Sequence, residues 1–142
     1  MTRAAVFQEI YNTLNGAKPT YTDRDSATAT YKILAAFPEV TPNFPCIVIN
    51  PVEQKIKSLG VANVPNKSLP ATIDIDFYAK TRDGKNAIDS ARDSVQSTLL
   101  TKRRYTNFLL TIEPIDDSTV EDIEVGGQRL NTATLTLNIK LI

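Results

Sequence analysis

Histidine is missing altogether from this chain of 142 residues, which removes the commonest general base and the commonest metal ligand. Ser-His-Asp and Cys-His catalysis are thereby excluded, as are histidine-containing zinc sites and the HExxH arrangement. The single cysteine, Cys46, permits neither an intrachain disulfide nor a thiolate zinc site. It lies in the apolar run Phe44-Pro45-Cys46-Ile47-Val48-Ile49, where a small buried hydrophobe is the natural reading and a reactive thiol is not. The five glycines are scattered apart from Gly126-Gly127, so neither a GxGxxG nor a Walker-type phosphate loop occurs. There is no run of 18 apolar residues, hence no expected transmembrane helix. The opening MTRAAVFQEIYNTLNG lacks the apolar core and cleavage site of a signal peptide, so a cytosol-like compartment is expected unless something larger carries the protein out. Net charge is absent too. The 16 basic and 16 acidic residues cancel, leaving no bulk attraction for nucleic acid or anionic membrane and no self-repulsion against close association.

What is present is an ordinary globular composition. Hydrophobic residues at 42% and charged residues at 23% argue against disorder. A chain of this length buries roughly 68–70% of its unfolded surface, enough for one domain spanning residues 1–142. Val6, Phe7, Ile10 and Leu14 share one face of a helix over Thr2 to Asn15, with Gly16 at the position of a C-terminal cap. Lys18 to Thr30 is polar and reads as a loop, Tyr31 to Ala36 as a short strand and Pro45 to Ile49 as another. Pro51 limits that strand to a sheet edge or kinks it, and Val52 to Leu59 continues it only imperfectly. A polar loop, Gly60 to Pro70, precedes the strand Ala71 to Lys80, where Ile73, Ile75 and Phe77 point one way and Asp74 and Asp76 the other. Asp83 to Arg103 is the second helix, its face built from Ile88, Ala91, Val95 and Leu99. Phe108 to Ile112 gives a further strand.

The last stretch, LNTATLTLNIKLI from Leu130 to Ile142, alternates Leu135, Leu137, Ile139 and Leu141 with Thr134, Thr136, Asn138 and Lys140. That is a half-buried strand, and Gly126-Gly127 joins it to Ile123 and Val125 as a hairpin. The expected fold is therefore α+β: an antiparallel four- to five-stranded sheet with two helices packed on one face and a C-terminal β-hairpin. The face bearing Asp74, Asp76, Thr134, Thr136 and Lys140 would be polar.

The hairpin carries a register argument. A two-residue turn pairs Val125 with Gln128 and Ile123 with Leu130, so Ile123, Val125 and Leu130 share a face. Carried on unbroken, the register sets Ile112 opposite Leu141. The base of the hairpin buries odd-numbered positions, while Leu130 at the tip is even-numbered and looks away from that core. Either the tip is a projecting β-arm that packs on a neighbouring molecule, or the phase is restored by a β-bulge around Asn131 to Thr134 or by an unpaired loop across Asp116 to Glu121.

Other constellations have bland readings. Glu113, Asp116, Asp117, Glu121, Asp122 and Glu124 fit no EF-hand spacing and read as a solvated acidic turn. Asp74 and Asp76 read as the wet face of the sheet rather than paired catalytic acids. Lys102-Arg103-Arg104-Tyr105 reads as the basic end of a helix rather than a phosphate grip. No cofactor, no metal and no enzymatic activity are expected.

The opening helix, the strand FPCIVINP, the strand ATIDIDFYAK, the helix DGKNAIDSARDSVQSTL and the closing hairpin resemble, over roughly residues 3 to 142, the tail terminator and tail-completion (head-tail joining) proteins of long-tailed bacteriophages. The likeness is one of layout and size, with no signature catalytic residues to carry over. It implies a virion protein forming a ring, usually a hexamer, that sits on the last ring of tail tube protein, stops tube growth and docks to the head connector protein. Double-stranded DNA would pass through the centre without tight binding, given the zero net charge. The protein would reside at the head-tail junction of the virion and in host cytoplasm during assembly. The subunit-interface candidates are Ile123, Val125 and Leu130; the loops Ala17 to Thr30 and Leu59 to Pro70 are candidates for the tube or channel, with Lys55, Lys57 and Lys67 as candidates to face DNA. A head-side connector or stopper protein is the alternative within that class, and a small cytosolic ligand-binding or enzyme domain the alternative outside it.

Overall fold

Alternating side chains build the centre of the molecule. In the computed structural model, which describes residues 3–22, 28–36, 45–54, 71–80, 85–101 and 110–141, the strand β6 (Ala71–Lys80) buries every odd-numbered residue and leaves every even-numbered one half-buried. It pairs antiparallel along its full length with β9 (Gln128–Leu141), from Ala71 opposite Ile139 to Lys80 opposite Leu130. The odd phase of β9 is buried as well, through Asn131, Ala133, Leu135, Leu137 and Ile139. Two long strands in one phase present a continuous apolar face.

The elements in order are α1 (Arg3–Asn15), β1 (Thr20–Thr22), β2 (Thr28–Thr30), β3 (Lys32–Leu34), β4 (Cys46–Ile49), β5 (Glu53–Gln54), β6, α2 (Lys85–Thr101), β7 (Leu110–Asp117), β8 (Glu121–Val125) and β9. The main sheet has seven strands, five of them in the order β3-β4-β6-β9-β7. Of the other two, β5 pairs with the start of β6, on the β4 side, and β8 with the start of β9, on the β7 side. The sheet is thus mostly antiparallel and larger than the four or five strands expected, and β3 runs parallel to β4. A single apolar cluster joins Val6, Ile10 and Leu14 of α1, Ile88, Val95 and Leu99 of α2, the odd-numbered residues of β6 and Ala133, Leu135, Leu137 and Ile139 of β9. Each such aliphatic side chain fully withdrawn from water contributes about 1.5–3 kcal/mol.

Three elements depart from the sequence reading. The segment expected to be a loop from Lys18 to Thr30 contains the short antiparallel pair β1–β2, held against the body by Tyr31. That residue is fully buried, donates its hydroxyl to the carbonyl of Ala87 at 2.9 Å and meets the ring of Tyr21 at 5.7 Å. Strand β4 lies inside the sheet, between β3 and β6; it ends at Ile49, before Pro51, and pairing with β6 resumes at Glu53 in β5 with the register shifted by one residue. Strand β7 extends through Pro114, which is tolerated because only β9 flanks it among the described strands.

Candidate functional site

The turn that closes the C-terminal hairpin is set by its two glycines. Gly126 and Gly127 have φ of 58° and 81°, the left-handed pair of a type I′ turn, whose twist matches the flanking strands. The register is the one the sequence implies: Val125 opposite Gln128, Glu124 opposite Arg129 and Ile123 opposite Leu130. Ile123, Val125 and Leu130 therefore lie on the even face of the sheet, away from Leu135, Leu137 and Ile139.

Toward the base the unbroken register fails, since Ile112 stands opposite Ile139 and Leu110 opposite Leu141. One shift falls between Pro114 and Asp116. A second is needed between Asp117, opposite Leu135, and Glu121, opposite Thr132. The break at Ser118 is tied to β9: its amide donates to the Thr134 carbonyl at 3.0 Å, and its hydroxyl accepts from the Thr134 amide at 2.7 Å. The irregularity sits on the β7–β8 side, so β9 itself keeps one phase throughout and Asn131 to Thr134 form no bulge.

This arrangement corrects the picture of a projecting arm. Pairing of β9 with β6 runs as far as Leu130, and only the two rungs Glu124–Arg129 and Val125–Gln128 extend beyond it. Leu130, offered as a subunit-interface residue, is fully buried within the chain. The physical reason is its position on a strand with a neighbour on each side, Lys80 and Ile123. Ile123 and Val125 lie on β8, with no partner on its outer side among the described strands; they are half-buried, and Glu121, Asp122 and Glu124 beside them are exposed. Lys55, Lys57 and Lys67, the loop Leu59 to Pro70 and the cluster Lys102 to Tyr105 lie outside the described residues.

The even face is not uniformly wet. Its centre is a polar ladder: the Thr134 hydroxyl donates to Asp76 Oδ1 at 2.6 Å, the Thr136 hydroxyl to Asp74 Oδ1 at 2.8 Å and the Asn50 amide to Asp76 Oδ2 at 2.9 Å. These carboxylates accept from hydroxyls on β9 and from the amide of Asn50, just after β4, and among the described residues no trio of His, Cys, Asp or Glu is placed to hold a metal ion. Cys46 and Val48 point to this same face, opposite Tyr78 and Asp76, and are buried. Their strand is apolar at four successive positions and buried on both faces. Burial pushes the Cys46 thiol up to about 12 from its ordinary 9.0, with Lys32 acting weakly the other way. Burial, reinforced by Asp76 and Cys46, also raises the Tyr78 phenol.

Two consequences of the raised thiol are measurable. Cys46 is expected to stay unmodified by a thiol reagent in the native protein at pH 8 and to react once the chain is unfolded. The unfolded chain releases its thiol proton above about 9 while the folded chain keeps it to about 12, so the contribution of this group to stability is whole below pH 9 and declines through that window. Reaction of native protein as fast as of unfolded protein would contradict the burial.

Arg92 is the functional-looking residue that the sequence reading passed over. It is 8% exposed and bonds Asp89 at 2.6 Å and Asp117 at 2.5 Å, with a further bond to the Ser118 carbonyl. A signal was there: Ile88, Arg92, Val95 and Leu99 fall on one helical stripe. The cation ties α2 to the shift between β7 and β8 and so holds the acidic edge in place. Arg92→Met is expected to lower stability by about 2 kcal/mol, the scale of a hydrogen bond to a charged group, read as a lower urea midpoint at unchanged m. An unchanged midpoint would show the contact to be idle.

One concavity stands apart, an apolar groove of about 320 Å³ lined by Ala4, Phe7, Pro51 and Val52. The chain matches no protein-family model and no curated protein sequence.

Proposed function

We propose that this chain is a virion structural protein without catalytic activity, the tail terminator of a long-tailed bacteriophage, assembling as a ring at the head-proximal end of the tail tube. The observation that carries the reading is a surface. The β7–β8 side of the sheet is an unpaired strand edge among the described strands, with half-buried Ile123 and Val125 next to exposed carboxylates. An open edge of this kind recruits another chain by main-chain pairing. The opposite edge is less available, because α1 packs beside β3 and the Tyr11 hydroxyl donates to the Ile33 carbonyl at 3.3 Å. The exposed Glu121, Asp122 and Glu124 along the open edge disfavour its pairing with the same edge of another copy, and a contact with a different surface of the next copy that closes by rotation yields a ring.

In this reading both helices lie on the odd face of the sheet, leaving the even face and the acidic edge for contacts. The partners are further copies of the chain, usually six in such rings, the tail tube protein on one side and the head connector protein on the other. DNA passes through without tight binding, and assembly takes place in the host cytoplasm before the ring rests at the head-tail junction. The resemblance in layout suits a head-side connector or stopper nearly as well. Purified protein is expected to sediment as a multiple of 15.7 kDa, to appear as rings by electron microscopy and to cap isolated tail tubes. Binding to filled heads instead of tubes would move it to the connector side. A monomer at all concentrations would overturn the ring.

A second reading rests on the groove beside Phe7. Its size lies at the lower end for ligand pockets, and a small-molecule binding domain would use it. Among the described residues its lining, Ala4, Phe7, Pro51 and Val52, offers no polar side chain to orient a ligand, so this reading comes second.

A further inference from the structure

We infer that the outer edge of β8 is a strand-addition site for β2, Thr28–Thr30, of a second copy of this chain. The inference rests on the ring reading and assigns its subunit contact.

Main-chain geometry fixes what each strand has to offer. With a two-residue turn, the bonded rungs of the hairpin alternate outward from Val125–Gln128. Ile123 is therefore engaged with Leu130, whereas the main-chain groups of Asp122 and Glu124 point to the open side. In the other strand pair the Tyr31 amide donates to the Pro19 carbonyl at 2.9 Å, one rung beyond Thr20–Thr30. The next bonded rung is then Tyr21–Ala29, and the groups of Thr28 and Thr30 point away from β1. Strand β1 lies beside α2, and among the described strands β2 pairs only with β1. Each edge thus presents the donors and acceptors of two residues, one residue apart.

The side chains match a pairing that the molecule already uses. At the centre of the sheet Asp74-Ile75-Asp76 runs antiparallel to Thr134-Leu135-Thr136, and Asp74 and Asp76 accept from the threonine hydroxyls at 2.8 and 2.6 Å. Strand β8 repeats the first pattern as Asp122-Ile123-Glu124, and β2 the second as Thr28-Ala29-Thr30. Set antiparallel, Asp122 meets Thr30, Ile123 meets Ala29 and Glu124 meets Thr28. That register also brings the outward main-chain groups of the two strands opposite one another, so backbone and side chains require the same alignment. Pairing β8 with the β8 of another copy would instead oppose carboxylates.

The two copies join without collision. Thr28 and Thr30 are exposed and Ala29 is half-buried; Tyr21, opposite Ala29, packs against the apolar cluster, so the body of that copy lies on the Ala29 face. Asp122 and Glu124 share a face with the odd-numbered residues of β9, the face of the cluster in their own copy. The two clusters therefore fall on opposite faces of the joined sheet. Within one chain the contact cannot form. Strand β2 leads through Tyr31 into β3, and β4, β6 and β9 lie between β3 and β8. Four strand spacings amount to about 19 Å, while Thr30, just two residues before Lys32, reaches about 7 Å from it. Surfaces on opposite sides of a molecule make a head-to-tail contact, which propagates around a ring. The stretch Ala17 to Thr30, expected to meet the tube or channel, then serves subunit contact through β2.

The test measures the mass of the full-length chain and its variants by sedimentation, each variant checked by circular dichroism for an unchanged fold. Thr28→Asp/Thr30→Asp sets carboxylates against the edge of the next copy, and Asp122→Lys/Glu124→Lys removes the acceptors from that edge. Each two-site variant alone is expected to need about tenfold more protein to assemble. An equal mixture of the two should assemble like the original chain. Alternating copies oppose lysine to aspartate at one contact and keep the original pairing at the next. A mixture no better than its components would show that the two strands serve separate contacts and would overturn the inference. Glu124→Pro, which removes an outward amide without touching the bonded rungs, should also weaken assembly; assembly like that of the original chain would exclude main-chain pairing at β8. If the original chain assembles and every variant assembles like it, the contact lies elsewhere and the ring reading survives. If the original chain is monomeric, the ring reading fails and takes this contact with it.

Discussion

A chain carrying Leu137→Asp is expected not to fold. Leu137 is fully buried, stands in β9 between Ile73 of β6 and Pro114 of β7, and belongs to the apolar cluster that includes residues of both helices. The substitution forfeits about 1.5–3 kcal/mol of aliphatic burial. It also places a carboxyl group where the neighbouring odd-phase side chains are aliphatic, at a further cost of several kcal/mol, whether the group ionises or takes up a proton to stay neutral. Together these approach or exceed the roughly 5–15 kcal/mol that holds a domain folded. The variant should give insoluble protein, or soluble protein without a cooperative thermal transition by circular dichroism. Leu137→Met, which keeps volume and apolarity, should cost less than about 1.5 kcal/mol and retain the transition. A cooperative melt from the aspartate variant would mean that β9 is not the centre of the core.

How much of this was legible in the sequence depended on whether an element has two distinct faces. The strict alternation of Leu135, Leu137 and Ile139 and the helical stripe of Ile88, Ala91, Val95 and Leu99 correspond directly to the buried residues, because one wet face and one dry face leave a period in the text. Strand β4 has no such period: Cys46, Ile47, Val48 and Ile49 are all buried, and nothing in four successive apolar letters says that Ile47 and Ile49 are the two that join the main apolar cluster. The pair β1–β2 was hidden for the opposite reason, being short, rich in threonine and exposed along β2. Its hold on the body comes from Tyr31 reaching Ala87, 56 residues away in sequence.

The candidate surface was half legible. Two glycines and the alternation on either side of them give the turn and its first rungs, so the shared face of Ile123, Val125 and Leu130 follows from local pattern. The register at the base depends on Ser118 and Arg92, whose partners Thr134 and Asp117 are remote in sequence. Burial at the tip depends on how far β6 runs alongside β9, and that is a tertiary fact. Residues alike in sequence therefore differ in exposure.

That difference is the basis of the second large effect. Leu130→Asp is expected to unfold the monomer, and Val125→Asp, on the same face of the same hairpin, is expected to leave it folded. Leu130 has a paired strand on each side and is fully buried. Truncating such a leucine to alanine costs about 2–5 kcal/mol, and a carboxylate in its place adds the cost of withdrawing a charge from water, which Lys80 across the strand offsets only in part. Val125 lies at the last rung before the turn, half-buried, on a strand paired only with β9 among those described. An aspartate there keeps access to water, and its cost to the fold should remain near or below 1 kcal/mol, the scale of a surface substitution. Its effect should appear instead in self-association, where it adds a charge and removes an aliphatic contact beside Ile123. Urea titration and sedimentation of the two variants separate these outcomes: one loses its unfolding transition, the other keeps it and loses mass. If Leu130→Asp unfolds with the same midpoint as the original chain, Leu130 is exposed and the strand pairing of β6 with the end of β9 is wrong. If Val125→Asp retains both midpoint and mass, the tip of the hairpin takes no part in assembly.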